Sequence, residues 1–276
     1  MDRRTFLKAA LVAAAPTAPV VAASYGLYEA GSLKIERPTL PLPHLPSSFD
    51  GLRVAFLTDI HHGPFVGLDY VSSVVRTTLA LNPDLILLGG DYISKDAKYA
   101  APCFDVLAGL SAPLGVFGVL GNHDYLHGLA ETKEGFRAAR IAELTNAGVW
   151  LDRAGSRVRL AGVDDLWYGH PLASPALGDA AVADACLLVS HNPDFVEKLR
   201  EPRVGLVLSG HTHGGQACAP GYGAPIVPSR YGQKYLHGFV QAPMTRVYVS
   251  RGLGTSGPPM RYNSRPELTL VTLRSA

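Results

Sequence analysis

The chain has 276 residues, 47% hydrophobic and 17% charged, so it can bury a sizeable core and is not a disordered polymer. A formal net charge of +2, without a run of five like charges, speaks against a surface built to coat nucleic acid, while leaving a small phosphorylated partner open. Cys103, Cys186 and Cys218 are too few and odd in number for a disulfide framework, and none has a second cysteine at metal-site spacing.

At the N-terminus, Arg3-Arg4 precedes Thr5-Phe6-Leu7-Lys8 and a mildly apolar, alanine-rich stretch from Ala9 to about Ala23. This order resembles a twin-arginine (Tat) export signal, and implies the Tat machinery as a partner and a location in the periplasm or at the outer face of the cytoplasmic membrane. The apolar stretch contains Pro16 and Pro19 and falls short of the roughly 20 residues that a membrane-spanning helix needs. Val21-Ala22-Ala23 offers small residues for cleavage before Ser24, with retention as an anchor the alternative. Residues 1–23 are read as a leader, 24–48 as an extended linker dense in proline after Arg37, and 49–276 as one folded domain.

Beyond the linker, short apolar runs bounded by Gly, Asp or Asn read as buried strands: Arg53–Thr58, Leu85–Gly89, Gly115–Leu120, Arg157–Val163, Leu187–Ser190, Gly205–Ser209, Arg246–Ser250 and Leu268–Leu273. Amphipathic helices are expected at Asp69–Leu81, Phe104–Leu110 and Phe136–Ala147, the last ending at Gly148. Strands alternating with helices imply a mixed α/β fold with an early parallel-leaning sheet. The Gly- and Pro-rich later half suggests more antiparallel strands and long loops.

The polar residues fall just after these strands. Asp59-Ile60-His61, Gly90-Asp91, Gly121-Asn122-His123-Asp124, Ser190-His191-Asn192 and Gly210-His211-Thr212-His213 each follow an apolar run. Ligands of α/β sheets bind beyond the carboxyl ends of strands, so these loops should share one rim. One such residue is usually a turn former; five loops supplying only Asp, Asn and His are a donor set for Zn, Fe or Mn. The seven residues Asp59, His61, Asp91, Asn122, His191, His211 and His213 exceed what one ion takes from protein. Two ions sharing one carboxylate use them all, and Asp91 is the best bridge.

The ordered blocks D-x-H, G-D, G-N-H-D, a lone His and G-H-x-H resemble the calcineurin-like metallophosphoesterase family, from about Leu52 to Leu273. The resemblance implies a four-layer αββα sandwich. It implies one ion held by Asp59, His61, Asp91 and His213, and a second by Asp91, Asn122, His191 and His211. Two such ions acidify a bridging water and clamp the phosphoryl oxygens. His123 is then the matched proton donor to the leaving oxygen, with Asp124 accepting a hydrogen bond from its ring. The segments Gly214-Gly215-Gln216, Pro228-Ser229, Arg251–Thr255 and Arg265-Pro266-Glu267 resemble a bacterial branch of exported envelope phosphodiesterases. That branch implies a phosphodiester, pyrophosphate or phosphomonoester substrate, preferably lipid-linked, and peripheral membrane association.

Other polar residues have plainer readings. His62, next to a ligand on extended chain, should point away from it. His127, His170 and His237 read as solvated surface, and Asp164 and Asp165 as turn formers. Arg251 and Arg261 are expected either to grip substrate phosphate or to be structural, and the three cysteines read as buried small residues, with Cys218 the one to watch. The alternative for the whole chain is a metal-binding scaffold of the same fold without catalysis; no ligand is missing to favour it.

Overall fold

Leu85-Ile86-Leu87-Leu88 is an unbroken apolar run, and all four side chains are fully buried. That is possible only in a strand covered on both faces. Leu85 and Leu87 enter a core between two sheets, whereas Ile86 and Leu88 enter a second core beneath helices. The same alternation recurs at 186–189 and 206–208, where Leu187, Val189, Leu206 and Leu208 face the first core and Cys186, Leu188 and Val207 a third. Three stacked cores make four layers, the αββα order expected.

The computed structural model describes residues 18–276. The paired arginines and most of the leader lie outside the described residues. Within them the helices are α1 (Ala18–Ala30), α2 (Leu68–Ala80), α3 (Ala100–Leu107), α4 (Asn122–Ala138), α5 (Ala173–Leu177) and α6 (Phe195–Lys198). The first sheet contains β1 (Lys34–Glu36), β2 (Thr39–Leu42), β3 (Arg53–Leu57), β4 (Leu85–Leu88), β5 (Val116–Gly118), β6 (Ala142–Glu143) and β13 (Glu267–Ser275). Its order is β1-β13-β3-β4-β5-β6, with β2 also on β13. The second contains β7 (Ala147–Arg153), β8 (Ser156–Gly162), β9 (Cys186–Val189), β10 (Leu206–Ser209), β11 (Gly238–Gln241) and β12 (Arg246–Val249), in the order β11-β12-β10-β9-β8-β7. Among the described residues no helix is long and apolar enough to cross a membrane.

Three expectations change. Residues 24–48 are not an extended linker: they form the end of α1 and strands β1 and β2, both parallel to β13. Leu40, Leu42 and Leu45 are buried in the inter-sheet core, each worth about 2 kcal/mol of apolar burial. Pro41 is tolerated because β2 lies on the sheet margin, where a missing N–H breaks no ladder.

The helix expected over Phe136–Ala147 stops at Ala138. Arg140 and Asn146 take positive φ, 56° and 52°, which ends regular helix. Ile141 and Leu144 carry a helical spacing but serve different cores, one under the helices and one between the sheets. Gly148 lies inside β7 rather than capping a helix. The later half is also less antiparallel than its composition suggested, since β8–β9, β9–β10 and β10–β12 are all parallel pairs. The connections there carry only the short helices α5 and α6, in place of the longer helices that cover the first sheet.

Candidate metal centre

Parallel strands of both sheets point their carboxyl ends at one rim. Asp59 and His61 follow β3, Asp91 follows β4, and Asn122 and His123 occupy the first turn of α4 after β5; His191 follows β9, and His211 and His213 follow β10. The chain must turn sharply at each strand end. Asp59, His61, Asp91, His211 and His213 all hold positive φ, between 52° and 70°. Such backbone costs of order 1–3 kcal/mol per residue, and it persists where the surroundings over-determine it. They do so here: Asp59 and His61 donate their N–H groups to the carbonyls of Gly90 and Asp91, both at 2.9 Å, and Gly210 donates to His191 at 3.0 Å.

All seven expected ligands are buried and their donor atoms converge. His61 Nε2 lies 3.0 Å from His213 Nε2, and His213 Nε2 lies 3.4 Å from Asp59 Oδ1. On the other side His191 Nε2 lies 3.2 Å from His211 Nδ1 and 3.1 Å from Asn122 Oδ1. A single oxygen, Asp91 Oδ2, faces both groups, 3.5 Å from His61 Nε2 and 3.3 Å from His191 Nε2. Two clusters of metal-capable groups, Asp59-His61-His213 and Asp91-His191-His211, therefore share a boundary at Asp91. A third grouping, His61-Asp91-His123, brings His123 to the same edge.

The donor chemistry fits cations. Imidazole nitrogens face one another at hydrogen-bond distance, and His61 Nδ1 and His211 Nε2 are buried without a partner. Burial drives the His61 and His211 rings down to about 3, and His213 well below its ordinary value, so all three are neutral and offer lone pairs. His191 differs. Burial pulls it down, but the Asp91 and Asp59 carboxylates outweigh that and hold it up at about 10. Its Nδ1 meets the Gly89 carbonyl at 2.8 Å, which aims Nε2 into the site. Burial also raises Asp91, yet His191 and His61 hold its carboxyl well below the usual range.

His123 is half-buried, its Nε2 3.4 Å from the Ser256 hydroxyl. Asp124 does not touch that ring. Its Oδ2 accepts the N–H groups of Asp91 and Gly121, at 2.9 and 2.8 Å, and its Oδ1 accepts that of Tyr92 at 2.9 Å. The expected His123–Asp124 pair is thus corrected: in a helix first turn, the Asp124 side chain is drawn to unsatisfied backbone donors instead.

Both arginines are engaged within the protein. Arg251 pairs with Glu36 and Glu267. Arg261 is fully buried and donates to the carbonyls of His213, Arg251, Gly252, Gly254 and Ser264. His62 turns away, with Nδ1 2.7 Å from the Val66 carbonyl, and Cys218 is a free thiol against Gly214. Asp164 and Asp165 do form turns, Asp165 accepting from the N–H groups of Trp167 and Tyr168.

That turn places a residue that sequence reading missed. Trp167 stands edge-on to His211, centroids 4.4 Å apart. With Ile226, Pro228, Met260 and Tyr262 it walls a cavity of about 430 Å³ that opens onto Asp91, Asn122, His123, His211 and His213. Ser256 is held over it by Gln216, whose Oε1 accepts the Ser256 N–H at 3.0 Å. A lone tryptophan or serine carries no spacing signal, so nothing in the sequence singled out Trp167 or Ser256, and Gln216 stood out only as part of a segment resembling the bacterial branch.

A four-layer sandwich with Asp, Asn and His converging from both sheets defines a metal-dependent phosphoester hydrolase. The chain belongs to the calcineurin-like phosphoesterases, whose sequence profile matches residues 52–215. It is 34% identical to the uncharacterized metallophosphoesterase YkuE of Bacillus subtilis, over all of this chain and 98% of that one. It is 35% identical to the phosphodiesterase YaeI of Escherichia coli, over 80% of this chain and 82% of the relative.

Proposed function

We propose that the protein hydrolyses phosphodiester, pyrophosphate or phosphomonoester bonds with two transition-metal ions, Mn, Zn or Fe, one held by Asp59, His61, Asp91 and His213 and the other by Asp91, Asn122, His191 and His211. The observation that carries this is Asp91 Oδ2, which stands within 3.5 Å of a nitrogen from each cluster. Bound there, such a metal pair supplies Lewis acidity toward phosphoryl oxygens and toward water. The chain's own residues do the rest. His123, on the cavity wall beside Ser256, donates a proton from its ring to the departing oxygen. Trp167 and Tyr262 wall the cavity in which that group would sit.

The substrate is a cell-envelope or lipid-linked phosphoester. The adjoining cavity supports this, because Trp167, Pro225, Ile226, Pro228 and Met260 offer apolar surface directly beside the metal ligands. The enzyme is exported through the Tat system and acts at the periplasmic or outer face of the cytoplasmic membrane, resting on it peripherally. Arg3-Arg4 with the apolar stretch behind them support export. The exposed Val20, Val21, Leu27 and Tyr28 of α1 support membrane contact.

The deciding experiment is metal analysis of the purified chain, coupled to hydrolysis of nucleotides, sugar nucleotides, phospholipids and an activated aryl phosphodiester. Two bound metals and turnover of the aryl diester are expected, with Asn122→Ala and His191→Ala each losing one metal and nearly all turnover. Wild-type turnover in either variant overturns the two-metal assignment. Preference within the panel for substrates without an apolar group overturns the lipid-linked reading.

A further inference from the structure

Helix α1 starts inside what reads as a removable leader, with Pro19 in its first turn, a position where proline favours helix. One of its faces is not free. Three residues at helical spacing, Ala22, Gly26 and Glu29, are tied to residues 261–264, the loop that closes the centre. The Ala22 carbonyl accepts the Tyr262 hydroxyl at 2.9 Å. The Gly26 carbonyl accepts the Arg261 N–H at 3.0 Å. Gly26 also lies so close to Tyr262 that a Cβ there would stand 2.6 Å from its ring. Glu29, a carboxylate only 3% exposed, accepts the Ser264 N–H at 2.8 Å through Oε1.

From that loop two routes reach the ligand His213. The Ser264 hydroxyl donates to the His213 carbonyl at 2.8 Å. The Arg261 guanidinium lies 3.4 Å from the same carbonyl through Nη1 and 3.3 Å from His213 Nδ1 through Nη2. His213 has positive φ, so its ring direction depends on partners that hold the backbone there. A buried carboxylate on a helix that merely trailed from the domain would have no reason to be desolvated.

We propose that α1 is part of the catalytic centre, and that Glu29 is a positioning residue which, through Ser264 and Arg261, sets His213 within the Asp59-His61-His213 cluster. The mature protein therefore keeps this helix, since a cut between Ala23 and Ser24 would remove Ala22 and the first turn. The inference rests on the reading of that cluster as a metal site, but not on any particular substrate.

The test is metal titration of the full-length chain by calorimetry, in the absence of substrate. Glu29→Ala is expected to weaken one of two binding events about ten- to hundredfold, the range for lost partners of metal ligands, and to leave the other unchanged. Glu29→Gln keeps an acceptor for the Ser264 N–H and is expected to restore wild-type binding. Gly26→Val, which forces α1 off Tyr262, should reproduce the Glu29→Ala loss, and Ser24→Ala on the exposed face of the helix should not. General destabilisation would weaken both events and would not be rescued by glutamine. Two wild-type binding events in folded Glu29→Ala, or equal weakening of both without rescue, overturns the proposal; should Glu29→Ala not fold, Gly26→Val decides by the same criterion. If the wild type hydrolyses no phosphoester yet the selective loss is seen, the positioning role stands and the catalytic reading falls.

Discussion

The carboxylate of Asp124 accepts the backbone N–H of Asp91 at 2.9 Å, so the neighbour of His123 in sequence shapes the loop of a ligand 33 positions away. With Gly121 and Tyr92 also donating, this one side chain pins together the turns after β4 and β5.

Asp124→Asn is isosteric but replaces an acceptor oxygen with an N–H₂ group that must face a backbone donor. A buried unsatisfied donor costs about 1–3 kcal/mol, and a matching fall in the denaturant midpoint is expected. Metal affinity should fall too, because Asp91 loses the hold on its backbone. Unchanged stability would mean that the three N–H bonds are not the residue's purpose.

His191 predicts how metal uptake depends on pH. Its folded value is about 10, against about 6.5 for an unfolded histidine. A raised value means that the folded apoprotein binds this proton more tightly than the unfolded chain. The associated stability is therefore full below pH 6.5 and is lost as pH rises through 10. A cation that binds Nε2 must displace the proton, so metal uptake between those limits should release up to one proton from this site, and affinity should climb with pH. Calorimetry at pH 8 in buffers of differing ionisation enthalpy counts that proton. Zero release would place the compensating charge elsewhere.

Gly210 shows how little room the centre has. A Cβ there would stand 2.2 Å from both Asp59 Oδ2 and Thr58 Oγ1. Neither atom can yield cheaply, because Thr58 donates to Asp59 at 2.7 Å and Asp59 also accepts the His211 N–H. Gly210→Ala should cost about 1–3 kcal/mol of stability through overpacking, and should displace the Asp59 carboxylate from its cluster. The check is thermal unfolding with metal content measured on the same sample; full metal loading would show that Asp59 moves without consequence.

The strands and the ligands were legible because both leave local marks. A fully buried strand such as Leu206–Ser209 is an apolar run whatever its neighbours, and a donor such as His211 directly after it inherits its position from the sheet. Margins and supports leave no such mark. Thr39–Leu42 reads as a proline-rich linker because its strand character comes from pairing with Thr272–Ser275, more than two hundred residues away. Asn122–Ala138 was missed as a helix since its first turn is spent on Asn, His and Asp, and Gly128 interrupts it. Arg261 looks like any phosphate-binding arginine in sequence. Only the carbonyls that crowd around it reveal a buried strut.

The role of His123 separates cleanly from that of the ligands around it. Its ring lies edge-on to His61, with centroids 4.6 Å apart, and it falls within one metal-capable grouping, so a ligand role and a proton-donor role compete. A donor matters in proportion to the basicity of the oxygen that leaves. His123→Gln should lower kcat about 10²–10⁴-fold on an alkyl phosphodiester. On a nitrophenyl diester the leaving oxygen departs unprotonated, and the loss should largely vanish. Metal content should stay at the wild-type level throughout. Equal losses on both substrates, accompanied by one missing metal, would make His123 a ligand and leave the proton to come from water.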